Sequence, residues 1–197
     1  MAIFAYVDNS NLFIEGQRVS AVKKRQPGAT NIAEATANRI QDYSYKIEYG
    51  RLYDLLLNRF ATTNESKEGS AAKLWGSPPP GDSFWSYIES KGFKVTTYGR
   101  SSSGKEKMVD VGLATQIMKD SYELKINKMD DMFLIVSGDA DYCPVIEDLR
   151  NRDFFVQVAF WNHASQMLKD SANIFINLDD RIWEICWDES KPGVKKI

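Results

Sequence analysis

The sequence predicts a three-layer α/β protein of Rossmann-like type, with helices on both faces of a central, mainly parallel sheet of five to six strands. Two observations support this prediction. Short apolar segments of strand type alternate along the chain with segments of helical periodicity, which is typical of parallel sheets with helical crossovers. Several strand segments are almost continuously apolar, which indicates strands that are covered on both faces.

The predicted strands are short and rich in branched or aromatic residues. They are Ala2–Val7, Ala71–Trp75, Phe93–Thr97, Met132–Val136, Phe154–Phe160 and a short Asn173–Leu178. Helices are predicted between them from apolar residues spaced three or four positions apart. Their apolar faces are Leu52, Leu55, Leu56 and Phe60; Phe84, Tyr87 and Ile88; Val111, Ala114 and Met118 in a helix Val109–Leu124; and Val145, Ile146 and Leu149.

A length of 197 residues suits a single domain, predicted over 1–197. Residues from about 19 to 45 have no clear periodicity, and we expect an insertion or a mobile segment there. An aromatic tail at about 180–197 is expected either to seal the core or to form a homodimer contact.

The composition excludes several kinds of site. With 25 Lys and Arg against 27 Asp and Glu, the chain is not a strongly basic nucleic-acid binder as a whole. Two cysteines exclude a disulfide framework and a four-thiolate zinc site, and one histidine makes a His-rich metal site hard to build. Since no signal-type or membrane-spanning apolar segment is visible, we expect a soluble, cytoplasmic protein without membrane contact.

Acidic residues follow the predicted strands where parallel sheets bind ligands. Asp8 follows the first strand, Asp139 and Asp141 follow Met132–Val136, and Asp110 begins a helix, so all four can meet at one sheet edge. Two carboxylates about 4 Å apart repel by about 4 kcal/mol at an effective dielectric near 20, so a cluster takes up protons or a cation. All-oxygen ligands favour Mg²⁺ or Mn²⁺, which suits phosphate-ester chemistry.

Each acid also has a purely structural interpretation. Asp8 can form an Asx-turn after its strand, and Asp139 can be a loop acid. Asp110 and Asp141 can be N-caps of the helices that follow them. The residue pattern alone leaves both interpretations open.

Three segments carry motifs in a fixed order. Val7–Leu12 holds an Asp followed three residues later by an Asn, Lys107–Ala114 holds an Asp before a small apolar helix face, and Ser137–Val145 begins Ser-Gly-Asp-x-Asp-aromatic. In this order, and over nearly the whole chain, they resemble the NYN domain family, LabA-like branch, of the PIN-like nucleases. The resemblance implies a sheet with the first strand in its middle.

The resemblance further implies a metal-dependent endoribonuclease that hydrolyses single-stranded or structured RNA with Mg²⁺ or Mn²⁺. The catalytic and metal-binding acids that it implies are Asp8, Asp110, Asp139 and Asp141. It also implies that Asn11 orients a water or a phosphate, and that Ser137 supports the loop or the metal shell.

A basic loop leads directly into Asp110 and can contact RNA phosphates without reading sequence. Its cations are Arg100, Lys105 and Lys107. Tyr98 and Trp161 follow predicted strands, and they either stack on unpaired bases or cover the sheet edge.

One departure from the family pattern opens an alternative function. Members commonly carry another acid six residues after the central Asp, where this chain has Gln116. Asp120, one helical turn further along, is not assumed to replace it. This departure favours a non-catalytic RNA-binding or scaffold protein that keeps the fold.

Other metal sites form a third class. Asp139-x-Asp141 resembles the motif of haloacid-dehalogenase phosphatases, which suggests a metal-dependent phosphatase, but Cys143 stands where those proteins have Thr. Asp8-x-Ser10 resembles the start of the adhesion site of von Willebrand A-type domains, but Leu12 stands where that site has Ser.

Overall fold

The fold is described from a computed structural model that describes residues 2–60, 69–78, 81–99, 108–124 and 126–187. The strands of the described residues are β1 (Ile3–Asp8), β2 (Ala71–Gly76), β3 (Lys94–Thr97), β4 (Met132–Val136), β5 (Phe155–Phe160) and β6 (Ile174–Asn177). Every predicted strand is therefore present, with ends shifted by at most one residue.

The strands form one sheet in the order β3-β2-β1-β4-β5-β6, and every neighbouring pair is parallel. This confirms the predicted α/β class and the central position of the first strand. Val7 of β1 pairs with Leu74 on one side and Val136 on the other, so the carboxyl ends of β1, β2 and β4 lie at one edge. The strand order reverses between β1 and β4, which is where α/β sheets bind ligands.

Helices cover both faces of the sheet. They are α1 (Asn9–Lys23), α2 (Ile32–Ala37), α3 (Tyr49–Asp54), α4 (Asp82–Ser90), α5 (Val109–Glu123), α6 (Cys143–Asn151), α7 (Gln166–Ser171) and α8 (Ile182–Ile185). Buried residues of α1, α3, α4 and α8 form the core on one face, and those of α5, α6 and α7 form the core on the other. None of the helices in the described ranges combines the length and apolar character that a membrane crossing needs.

The predicted apolar face of α5 is wrong for Val111, whereas Ala114 packs against the core and Met118 is half-buried. Val111 is 68% exposed. The buried stripe of α5 consists of Val109, Leu113 and Ile117. This stripe carries branched side chains with more apolar surface to bury. The buried stripe also includes Asp120. Because a carboxylate interrupts the apolar pattern, the periodicity of apolar residues does not identify this stripe.

Residues 19–45 are partly helical. They contain the end of α1, through Lys23, and α2. The buried carboxylate of Asp42 anchors the segment: it accepts hydrogen bonds from the hydroxyls of Ser20 and Ser44 and pairs with Lys24 at 2.9 Å. That the segment is an insertion or mobile stays a prediction.

The described part of the aromatic tail seals the core. Ile182, Ile185 and Cys186 are buried, and Cys186 forms an antiparallel bridge with Ile47. Residues 188–197 lie outside the described residues, and the homodimer contact stays a prediction.

The Asp42 anchor predicts an acid-sensitive contribution to stability. Burial raises the pKa of Asp42, but the hydrogen bonds from Ser20, Ser44 and Lys24 lower it by more. The resulting pKa is about 2, below the ordinary value of 3.8. Because the folded-state pKa is depressed, the stabilisation is complete above about pH 4 and is lost as the pH falls through about 2.

Asp42→Asn is therefore expected to lower the free energy of unfolding at pH 7 by about 2 kcal/mol and to flatten its decline between pH 4 and 2. Urea unfolding at a series of pH values measures both. Asp180→Asn is the control, because its side chain is 93% exposed. An equally steep acid decline in the Asp42→Asn variant and the wild type contradicts the prediction.

Candidate active site

Three acidic side chains line one cavity at the carboxyl ends of β1 and β4. The cavity has a volume of about 220 Å³. Its lining residues are Asp8, Ser10, Asn11, Ile14, Val109, Asp110 and Asp139. The fold thus brings together Asp8 from the end of β1, Asp110 from the start of α5 and Asp139 from the turn after β4. Asp141 is exposed and does not belong to this lining.

Asp8 is held by the helix that follows it. Its carboxylate is 3% exposed, and Oδ1 accepts the backbone N–H of Asn11 at 3.1 Å, which caps α1. The Oδ2 atom lies 3.5 Å from the Ser137 hydroxyl. Asp8 therefore has a structural role, as the N-cap of α1 and not in the predicted Asx-turn, and the same carboxylate lines the cavity.

Asn11 and Ser137 join α1 to the turn after β4. The Oδ1 atom of Asn11 accepts the backbone N–H of Gly138 at 2.9 Å. The Ser137 hydroxyl is fully buried, lies 3.4 Å from Asn11 Oδ1 and accepts the backbone N–H of Asp139 at 3.3 Å. These bonds set the distance between Asp8 and Asp139.

The Gly in the Ser-Gly-Asp motif is required by close packing. A Cβ atom on Gly138 would lie 2.1 Å from Cε1 of Phe160, a separation that non-bonded carbon atoms do not adopt, so the buried ring or the backbone would have to move. Only glycine therefore lets the turn after β4 approach β5 and hold Asp139 at the cavity.

Asp139 caps a short 3-10 turn, Ala140–Tyr142, by accepting the backbone N–H of Asp141 at 3.0 Å. The N-cap interpretation predicted for Asp141 is therefore wrong, because Asp139 has that position. It is wrong for Asp110 as well, because Met108 is the N-cap residue of α5 and makes no side-chain cap bond. Met108 has a left-handed φ of 73°, and Asp110 lies in the first turn that follows.

Tyr142 is the functional residue that sequence reasoning missed. Its side chain is 1% exposed, and its hydroxyl donates to Asp110 Oδ1 at 3.2 Å. Burial raises the pKa of Tyr142, and the negative charges of Asp8, Asp110 and Asp139 raise it further. The hydroxyl therefore stays protonated and donates among three carboxylates. The aromatic position of the Ser-Gly-Asp-x-Asp-aromatic motif was the available signal.

Separate donors hold the three cavity acids: a backbone N–H for Asp8, a phenol for Asp110 and a backbone N–H for Asp139. Within the described ranges, no group of three or more His, Cys, Asp or Glu side chains is arranged to hold a metal ion. The donor set is nevertheless all oxygen, the chemistry that Mg²⁺ and Mn²⁺ prefer.

A second polar group lies beneath the site, between β1 and α5. Asp120 is 3% exposed, accepts the Tyr6 hydroxyl at 2.7 Å and forms an ion pair with Lys73. Gln116 donates to Asp120 Oδ1 at 2.8 Å. Asp120 is therefore neutralised within the core, lies outside the cavity lining and does not replace the family acid. Gln116 therefore has a structural role, as a hydrogen-bond donor to Asp120.

The other predicted substrate contacts have different outcomes. The basic loop residues Arg100, Lys105 and Lys107 lie outside the described residues. Tyr98 packs on α5, since a Cβ atom on Gly112 would lie 2.4 Å from its ring. Trp161 is fully buried and donates to the carbonyl of Leu12 at 3.0 Å, so its ring offers no face to a base.

Comparison with known proteins agrees with the fold. The model of the NYN domain matches residues 6–179. A crystal structure of a protein of unknown function from Vibrio parahaemolyticus is similar over 94% of this chain and 96% of its own, with a TM-score of 0.60 and 19% identity; at that identity the similarity concerns the fold alone. No curated protein sequence matches the chain at a significant level.

The Gln116 contact predicts the effect of restoring an acid at that position. Gln116→Glu places a second carboxylate against Asp120, which loses a donor and gains a like charge. We expect the free energy of unfolding to fall by about 1–2 kcal/mol, measured by urea denaturation.

Thr115→Glu is the matched control, because it adds the same charge on the exposed side of α5. Equal stability of the two variants contradicts the prediction. A gain in RNA cleavage by Gln116→Glu would instead mean that position 116 reaches the reacting groups.

Proposed function

Because the chain belongs to the NYN domain family, whose fold is that of the PIN-like nucleases, we propose that it is a metal-dependent endoribonuclease. It hydrolyses phosphodiester bonds of RNA, single-stranded or structured, in the cytoplasm. One observation carries the proposal: Asp8, Asp110 and Asp139 come from three separate elements and line one cavity at the point where the strand order reverses.

The same three carboxylates would hold Mg²⁺ or Mn²⁺. A bound cation of this type lowers the pKa of a water molecule and neutralises charge on the phosphate oxygens. Asp8 is buried and fixed by its cap. Asp110 is exposed and Asp139 is half-buried, so both carboxylates are accessible from solvent, whereas Asp8 is not.

Neighbouring residues keep the acids in position. Tyr142 donates to Asp110, and the Asn11–Gly138 bond sets the separation of the two strand ends. Asp141 is placed by the same turn at the exposed side. Arg100, Lys105 and Lys107 are proposed as phosphate contacts because they precede Asp110 in the chain.

A non-catalytic RNA-binding protein is the second candidate function. The observation that favours it is the Gln116–Asp120 bond. Since both side chains are committed to the core network with Lys73, they add no fourth carboxylate to the cavity. This alternative keeps RNA as the partner and removes the hydrolysis.

Asp139→Asn is expected to lower RNA cleavage in Mn²⁺ or Mg²⁺ by about 100-fold or more. The asparagine oxygen can still accept the backbone N–H of Asp141, so the turn is preserved while the charge is lost. Cleavage of a labelled RNA mixture by the purified full chain, with and without a chelator, measures the effect.

Asp130→Asn is the matched control, since Asp130 is an exposed acid before β4, at the opposite end of the sheet. Cleavage that is equal in the wild type and the Asp139→Asn variant indicates a contaminating nuclease and overturns the proposal. So does a wild-type protein that binds RNA and leaves it intact in both metals.

Tyr142→Phe tests the positioning role of the phenol. Without the donor to Asp110, we expect the metal concentration for half-maximal cleavage to rise about 10- to 100-fold, with a smaller effect on the rate at saturating metal. A uniform loss of rate at every metal concentration would indicate that Tyr142 has only a structural role.

A further inference from the structure

A second cavity lies beside the acidic one and is lined mainly by aromatic rings. Its volume is about 340 Å³, at the lower end of the range for ligand-binding cavities, about 300–1,000 Å³. Its lining residues are Asn9, Phe13, Lys46, Ile47, Tyr49, Phe84, Tyr87 and Trp187. The proposed mechanism of hydrolysis uses none of them.

The first turns of α1 separate the two cavities. Asp8 belongs to the lining of the acidic cavity, and the next residue, Asn9, belongs to the lining of the aromatic one. Further along α1, Ile14 lines the acidic cavity and Phe13 lines the aromatic one. The two cavities therefore share the start of α1 as a common wall.

The aromatic walls are held in fixed orientations. Tyr49 is buried and donates its hydroxyl to Asn9 Oδ1 at 2.6 Å. The ring of Tyr49 meets Phe84 edge to face, at 5.6 Å between centroids and 83° between planes, and meets Tyr87 in the same way at 6.4 Å and 84°. Phe84, Tyr87 and Trp187 are only half-buried. Their rings are therefore preorganised and still reachable from solvent.

The charge of the lining complements a nucleic acid. Among the described residues that line this cavity, Lys46 is the one charged group, and its side chain is exposed. A lysine next to aromatic faces is the combination with which proteins bind single strands: the rings stack on bases and the cation contacts a phosphate.

We propose that the aromatic cavity binds one unpaired nucleobase of the RNA strand whose phosphate lies at Asp8, Asp110 and Asp139. This inference rests on the proposed function, and it narrows the substrate to RNA that is single-stranded next to the cleaved bond. A base that is still paired in a duplex cannot enter, because its faces are stacked and its edge is occupied.

Binding is measured separately from cleavage in the full chain carrying Asp139→Asn. The probe is a fluorescent single-stranded RNA, compared with the same strand made entirely of abasic nucleotides. Phe84→Leu, which removes the ring and keeps an apolar side chain, is expected to weaken binding of the normal strand by about 5- to 150-fold. It is expected to leave binding of the abasic strand unchanged.

Lys46→Ala tests the contribution of the exposed positive charge at the aromatic cavity. We expect it to weaken binding of both strands and to reduce the slope of log affinity against log salt by about 0.7. The matched controls are Tyr122→Ala and Lys94→Ala, an exposed aromatic residue near the end of α5 and an exposed lysine at the start of β3. Neither is expected to change binding.

The outcomes separate this inference from the proposed function. Wild-type cleavage of RNA together with unchanged affinity in Phe84→Leu overturns the aromatic site and leaves the nuclease in place; the cavity then takes an apolar small molecule or a protein segment. Binding that depends on both bases and Phe84, without cleavage by the wild type, supports the aromatic site and overturns the nuclease. Equal affinity for duplex and single strand also overturns the inference.

Discussion

Three carboxylates at one edge of the sheet are the constraint on which this site depends. Asp8, Asp110 and Asp139 border one cavity, and like charges around one cavity repel one another. Each accepts a hydrogen bond from a neutral donor that belongs to the fold itself: the first turn of α1, the Tyr142 phenol and the turn after β4. Loss of any of these donors removes one hydrogen bond that stabilises a carboxylate charge.

A second buried acid, Asp120, has its charge stabilised in a different way, outside the cavity. Asp120 lies on the buried stripe of α5, where Lys73 supplies an opposite charge and Tyr6 and Gln116 supply donors. The two groups of acids therefore differ in kind. The Asp120 carboxylate is paired with a cation within the core, whereas the hydrogen bonds described for the cavity acids come from neutral groups, and these acids border a cavity. This difference supports the proposal that the cavity is the reactive site.

The sequence predicts the fold more completely than it predicts the site. The strands are recognisable because β4 and its neighbours are covered on both faces and leave almost continuous apolar runs. The three cavity acids are predictable because strand ends in a parallel sheet share an edge. The aromatic position of the motif marks Tyr142 but not its partner Asp110, which lies 32 residues earlier in the chain. The Gln116–Asp120 bond joins residues four apart on α5, but the sequence does not show that Asp120 is buried. Periodicity also misses the buried stripe of α5, since it gives no weight to a buried carboxylate whose cation comes from β2.

The position of α1 between two cavities connects the chemistry with recognition. Phosphate hydrolysis needs charge and water, whereas base stacking needs dry aromatic faces, so one cavity cannot serve both. The start of α1 separates them within two consecutive residues, Asp8 and Asn9, and the Tyr49–Asn9 bond connects the aromatic wall to the same helix turn that Asp8 caps. A base seated against this wall would therefore fix its neighbouring phosphate relative to the acids. Under this proposal, the near balance of 25 basic and 27 acidic residues is compatible with an RNA substrate, because the two adjoining cavities would contribute to its recognition.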